Sequence, residues 1–189
     1  MMYSRLLAVA SVLALLQGCA AVVVAGGATA VGAATDRRTL GSQIDDSSIA
    51  IKARRALADD STTSTNVNIN VTSYNGVVLL TGQAPSERVI SRAGQLVKSI
   101  QGVRDVHNQI RLGSNTSLTT RTNDSWISTK VKTQLLADEE VSGLNIRVIT
   151  ENAEVFLMGL VGGKEADKAV DIARHVSGVS RVIKAFETP

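Results

Sequence analysis

Two stretches of the chain carry the same spacing of apolar and polar positions. Ile49, Ala53 and Leu57 fall at i, i+4 and i+8, and so do Ile127, Val131 and Leu135. Each set predicts a helix with one apolar stripe. Asp46 and Asp124 stand just ahead of the stripes and are read as N-caps. Val67, Ile69 and Val71 alternate with Asn68, Asn70 and Thr72, the pattern of a strand buried on one face. Tyr74-Asn75-Gly76 predicts a hairpin turn, since Asn-Gly tolerates positive φ at both positions, and Val77 to Thr81 is the return strand. A second helix is predicted from about Ser86 to Ile100, then Gly102-Val103-x-x-Val106 and a strand to Ile110. The second half repeats this with a helix from about Gly163 to Val176, then Gly178-Val179-x-x-Val182 and a strand to Phe186.

The repetition extends to identical residues. Asp46, Ser47, Ile49, Lys52, Leu57 and Asp60 return 78 positions later as Asp124, Ser125, Ile127, Lys130, Leu135 and Asp138. Asn68, Ile69, Val71, Asn75, Val78, Leu80 and Gly82 return 77 later, and Ala93, Gly102, Val103 and Val106 return 76 later. Ordered matches with two one-residue gaps mean a duplication. Each copy is about 65 residues, enough for one small core. The predicted fold is α+β: two tandem α-β-β-α-β modules, each a small three-stranded sheet with two helices on one face. By alternation Val78, Leu80, Val155 and Leu157 face the helices. Tyr74, Val77, Leu79, Phe156 and Met158 face away, and domain–domain packing is the simplest use of that apolar face; a protein partner or a lipid site is the alternative.

The N-terminus changes the picture of the whole. Of the first 34 residues 25 are hydrophobic, against 58 of the remaining 155. Arg5 precedes the mostly apolar run Leu6 to Leu16, and Leu16-Gln17-Gly18-Cys19 follows. Eleven residues of helix span about 16 Å, half of a hydrocarbon core, so this reads as a secretory signal of residues 1–18 and not as a membrane span. The single cysteine has no partner for a disulfide, and it sits directly after the small residue where cleavage would fall. It looks like a bacterial lipoprotein signal, with Cys19 as the acylated residue, although Gln17 departs from the small or β-branched residue usual at that place. Ala20, rather than Asp, after the cysteine implies, by resemblance to envelope lipoproteins, sorting to the outer membrane with the domains facing the periplasm. The expected organisation is an acylated N-terminus and tether over 19–44, domain one over 45–112, a polar linker over 113–122 and domain two over 123–189. Arg37 and Arg38 in the tether are read as solvated charges, with anionic headgroups as the other option.

The strands ending in Leu80-Thr81-Gly82 and Leu157-Met158-Gly159, with Gly-Val-x-x-Val after each second helix, resemble BON domains. The resemblance covers nearly the whole chain. It implies a periplasm-facing protein that binds phospholipid, supports outer-membrane integrity and has no enzyme chemistry. It also implies that lipid meets the first helix of the second domain. There Trp126 replaces Ser48 of the first copy and shares its side with Thr129, Lys130, Thr133 and Ala137, away from the apolar stripe. A Trp beside a lysine suits a membrane interface; packing into an interdomain groove is the other reading. Lys130 and Lys132 are the only cations of that helix and are assigned to anionic lipid such as phosphatidylglycerol or cardiolipin.

Charge does not carry this assignment. The formal net charge is +3. Residues 45–112 hold 8 basic and 6 acidic side chains, residues 123–189 hold 8 and 10. Binding by domain two therefore rests on a local patch, with about 1 kcal/mol from each lysine near an anionic surface. His107 and His175 belong to no triad or metal set, and no phosphate-cradling glycine loop or telling carboxylate pair occurs. No cofactor, metal or nucleic acid is expected. Besides the membrane, envelope proteins are the remaining class of partner, in which case the protein is an adaptor.

Overall fold

The computed structural model describes residues 36–65 and 67–188. The expected signal peptide, Cys19 and the expected tether up to residue 35 lie outside them. The elements are α1 (Leu40–Asp59), β1 (Asn68–Tyr74), β2 (Val77–Ala84), α2 (Glu87–Lys98), β3 (Asp105–Leu112), α3 (Leu118–Ala137), β4 (Ile146–Glu151), β5 (Glu154–Leu160), α4 (Gly163–Arg174) and β6 (Arg181–Glu187). In each copy the middle strand pairs antiparallel with the strand before it and parallel with the strand after the second helix. The two modules are α+β with the predicted element order.

The two first helices start earlier than predicted. Thr39 caps α1 by accepting from Ser42 N, and Ser117 caps α3 by accepting from Thr120 N. Residues 40–44 of the expected tether and 118–122 of the expected linker are therefore helical. Asp46 and Asp124 are not caps: both are buried inside their helices. Asp46 accepts from Asn75 N at 2.7 Å, Gly76 N at 2.9 Å and Ser73 Oγ at 2.7 Å. Asp124 accepts from Asn152 N and Ala153 N, both at 2.8 Å. The turn residues have positive φ, 52° and 77° in the first copy and 51° and 63° in the second. That geometry turns their N–H groups out of the hairpin, and a buried donor needs an acceptor. The carboxylate on the helix supplies it and ties helix to turn.

The predicted second helices end earlier too, at Lys98 and Arg174. The repeated strand glycines mark a close approach. A Cβ at Gly82 would stand 1.8 Å from the Asn68 carbonyl oxygen, and one at Gly159 would stand 2.5 Å from that of Asn145.

Helix and inner sheet faces form one apolar cluster per copy, around Ala53, Leu57, Val78 and Leu80 and around Ile127, Leu135, Val155 and Leu157. A third cluster joins the copies. Tyr74, Val77 and Leu79 pack with Phe156, Met158 and Ala185, all buried. The outer sheet faces therefore meet, and the layers run helix, sheet, sheet, helix.

The rim of this seam sorts charge by copy. Arg111 pairs with Glu154 at 2.8 Å and Arg104 with Glu187 at 2.9 Å. Gln83 Nε2 donates to Glu151 at 2.6 Å, Asn70 Nδ2 to Glu151 at 3.2 Å and Asn75 Nδ2 to Glu187 at 3.0 Å. The donors come from domain one and the carboxylates from domain two. The opposite charge balances of the two copies complement each other across the seam.

Arg37 and Arg38 also serve this joint and are not solvated tether charges. Arg37 N donates to Asn145 Oδ1 and its guanidinium to the Leu160 carbonyl, Ser142 Oγ and Glu165. Arg38 pairs with Asp36 at 2.8 Å and Asp46 at 2.9 Å and lies 4.0 Å from the Tyr74 ring centroid. The Tyr74 hydroxyl in turn donates to the Asn145 carbonyl at 3.1 Å.

The strap carries a pH signature. The hydrogen-bonded Arg38 guanidinium holds the Asp36 carboxyl below its ordinary 3.8. Burial pushes Glu165 up, but its bonds to Arg37 and Ser142 outweigh that and leave it below its ordinary 4.5. Groups whose folded pKa is depressed stabilise above the unfolded value and lose that contribution as pH falls through the folded one. Arg37→Ala is expected to lower stability by about 1 kcal/mol near neutral pH and by clearly less at about pH 3. Denaturant melts of both chains at the two pH values check this; an equal loss at both would remove the ion pair from the account.

Candidate functional site

The outward face of α3 is built by the sequence period itself. Ile127, Val131 and Leu135 are fully buried, so residues half a turn away face outward. Trp126 is 63% exposed and Leu118 81%. With Thr119, Thr122 and Asn123 they line a shallow, open hollow of about 570 Å³. Trp126 is not packed into an interdomain groove.

Three threonines of this face, Thr122, Thr129 and Thr133, are already satisfied within the helix. Thr122 Oγ1 donates to the Leu118 carbonyl at 3.0 Å, Thr129 Oγ1 to that of Ser125 at 2.9 Å, and Thr133 Oγ1 to that of Thr129 at 2.9 Å. Such i−4 bonds spend the hydroxyl donor inside the helix. Those three side chains can thus leave water without stranding their hydroxyl protons, which would otherwise cost about 1–3 kcal/mol each.

The two lysines are placed differently from the sequence reading. Lys132 is half-buried, and its ammonium donates to the carbonyls of Gly143 and Ile146, both at 2.7 Å. Burial first, then the Arg147 charge, push its pKa below that of an ordinary lysine. It braces the loop before β4 and does not belong to the outward face. The helix spacing could not show this, because the carbonyls belong to a turn eleven and more residues away. Lys130 stands at the edge of the face and donates to the Ser177 carbonyl. The structure thus brings Trp126, Thr129, Thr133 and, at the margin, Lys130 together. It adds Leu118 and Thr122, whose i, i+4, i+8 spacing with Trp126 was the available signal. Tyr74, Leu79, Phe156 and Met158 lie elsewhere, buried in the seam.

Among the described residues no helix is long and apolar enough to cross a membrane, and no three His, Cys, Asp or Glu side chains gather as a metal site.

The BON domain pattern matches residues 45–114 and 123–188. The chain belongs to the BON-domain family. It is 42% identical over 172 residues to the outer membrane lipoprotein DolP of Haemophilus influenzae, covering 91% of this chain and 89% of that one. It is 41% identical to a 21 kDa hemolysin of Actinobacillus pleuropneumoniae, covering 80% of this chain and 78% of that one. It is 30% identical to the osmotically-inducible protein Y of Escherichia coli, covering 79% and 75%. This is a dual-BON, lipid-anchored protein of the outer membrane.

Proposed function

We propose that the second BON domain binds anionic phospholipid, phosphatidylglycerol or cardiolipin, through the outward face of α3. Cys19 carries the acyl anchor, and the protein supports outer-membrane integrity, division sites included. No catalytic step is assigned to any residue. The observation that carries this reading is the exposure of Trp126 on a face where the hydroxyls of Thr122, Thr129 and Thr133 are satisfied within the helix. An indole and an apolar-edged hydroxyl stripe match the chemistry of the headgroup layer. The outer sheet faces that would serve a protein adaptor are buried against each other, which favours the lipid reading.

Burying one large apolar side chain contributes about 1.5–3 kcal/mol, and 1.4 kcal/mol is a factor of ten. Trp126→Ala in the acyl-free chain from residue 35 onward, which holds all three apolar clusters, is therefore expected to weaken binding to phosphatidylglycerol vesicles at least about tenfold. Co-sedimentation measures it. Equal binding by both chains, or no binding by either, sinks the assignment. Intact mass of the mature protein tests the anchor, which fails if Cys19 carries no acyl mass.

A further inference from the structure

The two BON domains differ in how they use the hollow between their first helix, their hairpin turn and the loop before their last strand. In the second domain Lys130 reaches the Ser177 carbonyl and Ser180 Oγ donates to the Ala153 carbonyl. In the first domain the matching positions are Lys52, Gln101, Arg104 and Gly76, and Ser48 stands where the second has Trp126. There the hollow measures about 470 Å³, a size suited to a small ligand.

Four of its polar side chains are uncommitted. Asp45, Ser48, Lys52 and Gln101 line it, and among the described residues none of their side chains has a hydrogen-bond or ion-pair partner. Neighbouring hydroxyls on the same helix are spent: Ser47 donates to the Gln43 carbonyl and Ser42 bonds Thr39 Oγ1. Arg104 is fixed at the rim by the Asn75 carbonyl and Glu187. Four unspent side chains converging on one hollow are the chemistry of a recognition site.

The charges define the ligand. Lys52 is the uncommitted cation, and Arg104, held at the rim by Asn75 and Glu187, stands on a different element; two such positions suit a tetrahedral anion with oxygens pointing several ways. Asp45 opposes a bare anion but accepts from a hydroxyl beside one. We propose that this hollow binds a phosphate ester of a polyol, the phosphate at Lys52 and Arg104 and a hydroxyl at Asp45. The site lies in the other domain from α3 and does not depend on the lipid reading of that helix. A glycerophosphate group is offered both by a soluble ester and by a phospholipid headgroup.

The probe is sn-glycerol 3-phosphate, titrated into the acyl-free chain from residue 35 while backbone amide shifts are followed. Saturable shifts are expected at Ser48, Lys52, Gly76 and Gln101 to Arg104. Lys52→Gln is expected to weaken binding about fivefold or more, the loss of one charge-assisted bond. Asp45→Asn is expected to weaken glycerol 3-phosphate and to leave inorganic phosphate unchanged or tighter. Spectra of both variants that are unchanged away from the hollow exclude unfolding. Shifts that do not saturate, that lie elsewhere, or that ignore Lys52→Gln overturn the proposal. Vesicles of phosphatidylglycerol, offered to the Trp126→Ala chain, then separate the sources: perturbation of the same amides assigns a headgroup, and its absence alongside glycerol 3-phosphate binding assigns a soluble ester.

Discussion

Asp46→Ala is expected to destabilise the folded chain by about 3 kcal/mol, although the side chain forms no part of any binding face. The reason is what it leaves behind. Two turn N–H groups, Asn75 and Gly76, lose their acceptor, Ser73 loses its partner, and Arg38 loses one of its two carboxylates. Asparagine is no rescue. Both carboxylate oxygens of Asp46 receive donors, and an amide puts an N–H in place of one of them. Asp124→Ala strands two turn donors and breaks no ion pair, so its loss is expected to be smaller, about 2 kcal/mol. Urea melts give the magnitudes. Amide exchange gives the mechanism, since Asn75 and Gly76 should lose protection first. A loss below about 1 kcal/mol with these amides still protected contradicts the account.

Phe156→Ala is the second large effect, about 3–5 kcal/mol. The ring is buried in the cluster that joins the sheets, with Met158 and Ala185 of its own sheet and Tyr74, Val77 and Leu79 of the other. Its removal leaves a cavity shared by both domains. Each domain keeps its own helix–sheet core, so the expected outcome is a looser pair and not two unfolded halves. Two readouts separate these. Stability falls, and cleavage by a nonspecific protease between Gly113 and Ser117 accelerates while the fragments stay folded. A melt within about 1 kcal/mol of the parent, with unchanged cleavage, means that the seam holds little energy.

The element order and the strand faces were legible in the sequence because they follow from local periods. Val78 and Leu80 point inward and Val77 and Leu79 outward for no reason beyond the pleat. The duplication helped, since a weak pattern read twice is a strong one. The helix starts were not legible. An aspartate shortly before an apolar stripe has the look of a cap, and Thr39 and Ser117 lack a glutamate three residues on to mark them as capping boxes. The hairpin groups that donate to Asp46 lie 27 to 30 residues away, beyond any local rule. Lys132 and Arg37 fail for the same reason. A helical wheel places a side chain on a face, but not against the carbonyls another loop brings to it. Trp126 was legible in part: the helical wheel set it off the apolar stripe, but only the structure decides between an interdomain groove and the exposed face.

The strap of Asp36 to Arg38 has a mechanical consequence. With Cys19 as the proposed anchor, a pull on the two domains would enter at Asp36. One residue later Arg37 grips the second domain, and the next grips the first. Such tension would be divided between the domains at their joint, and neither domain would be peeled from the other.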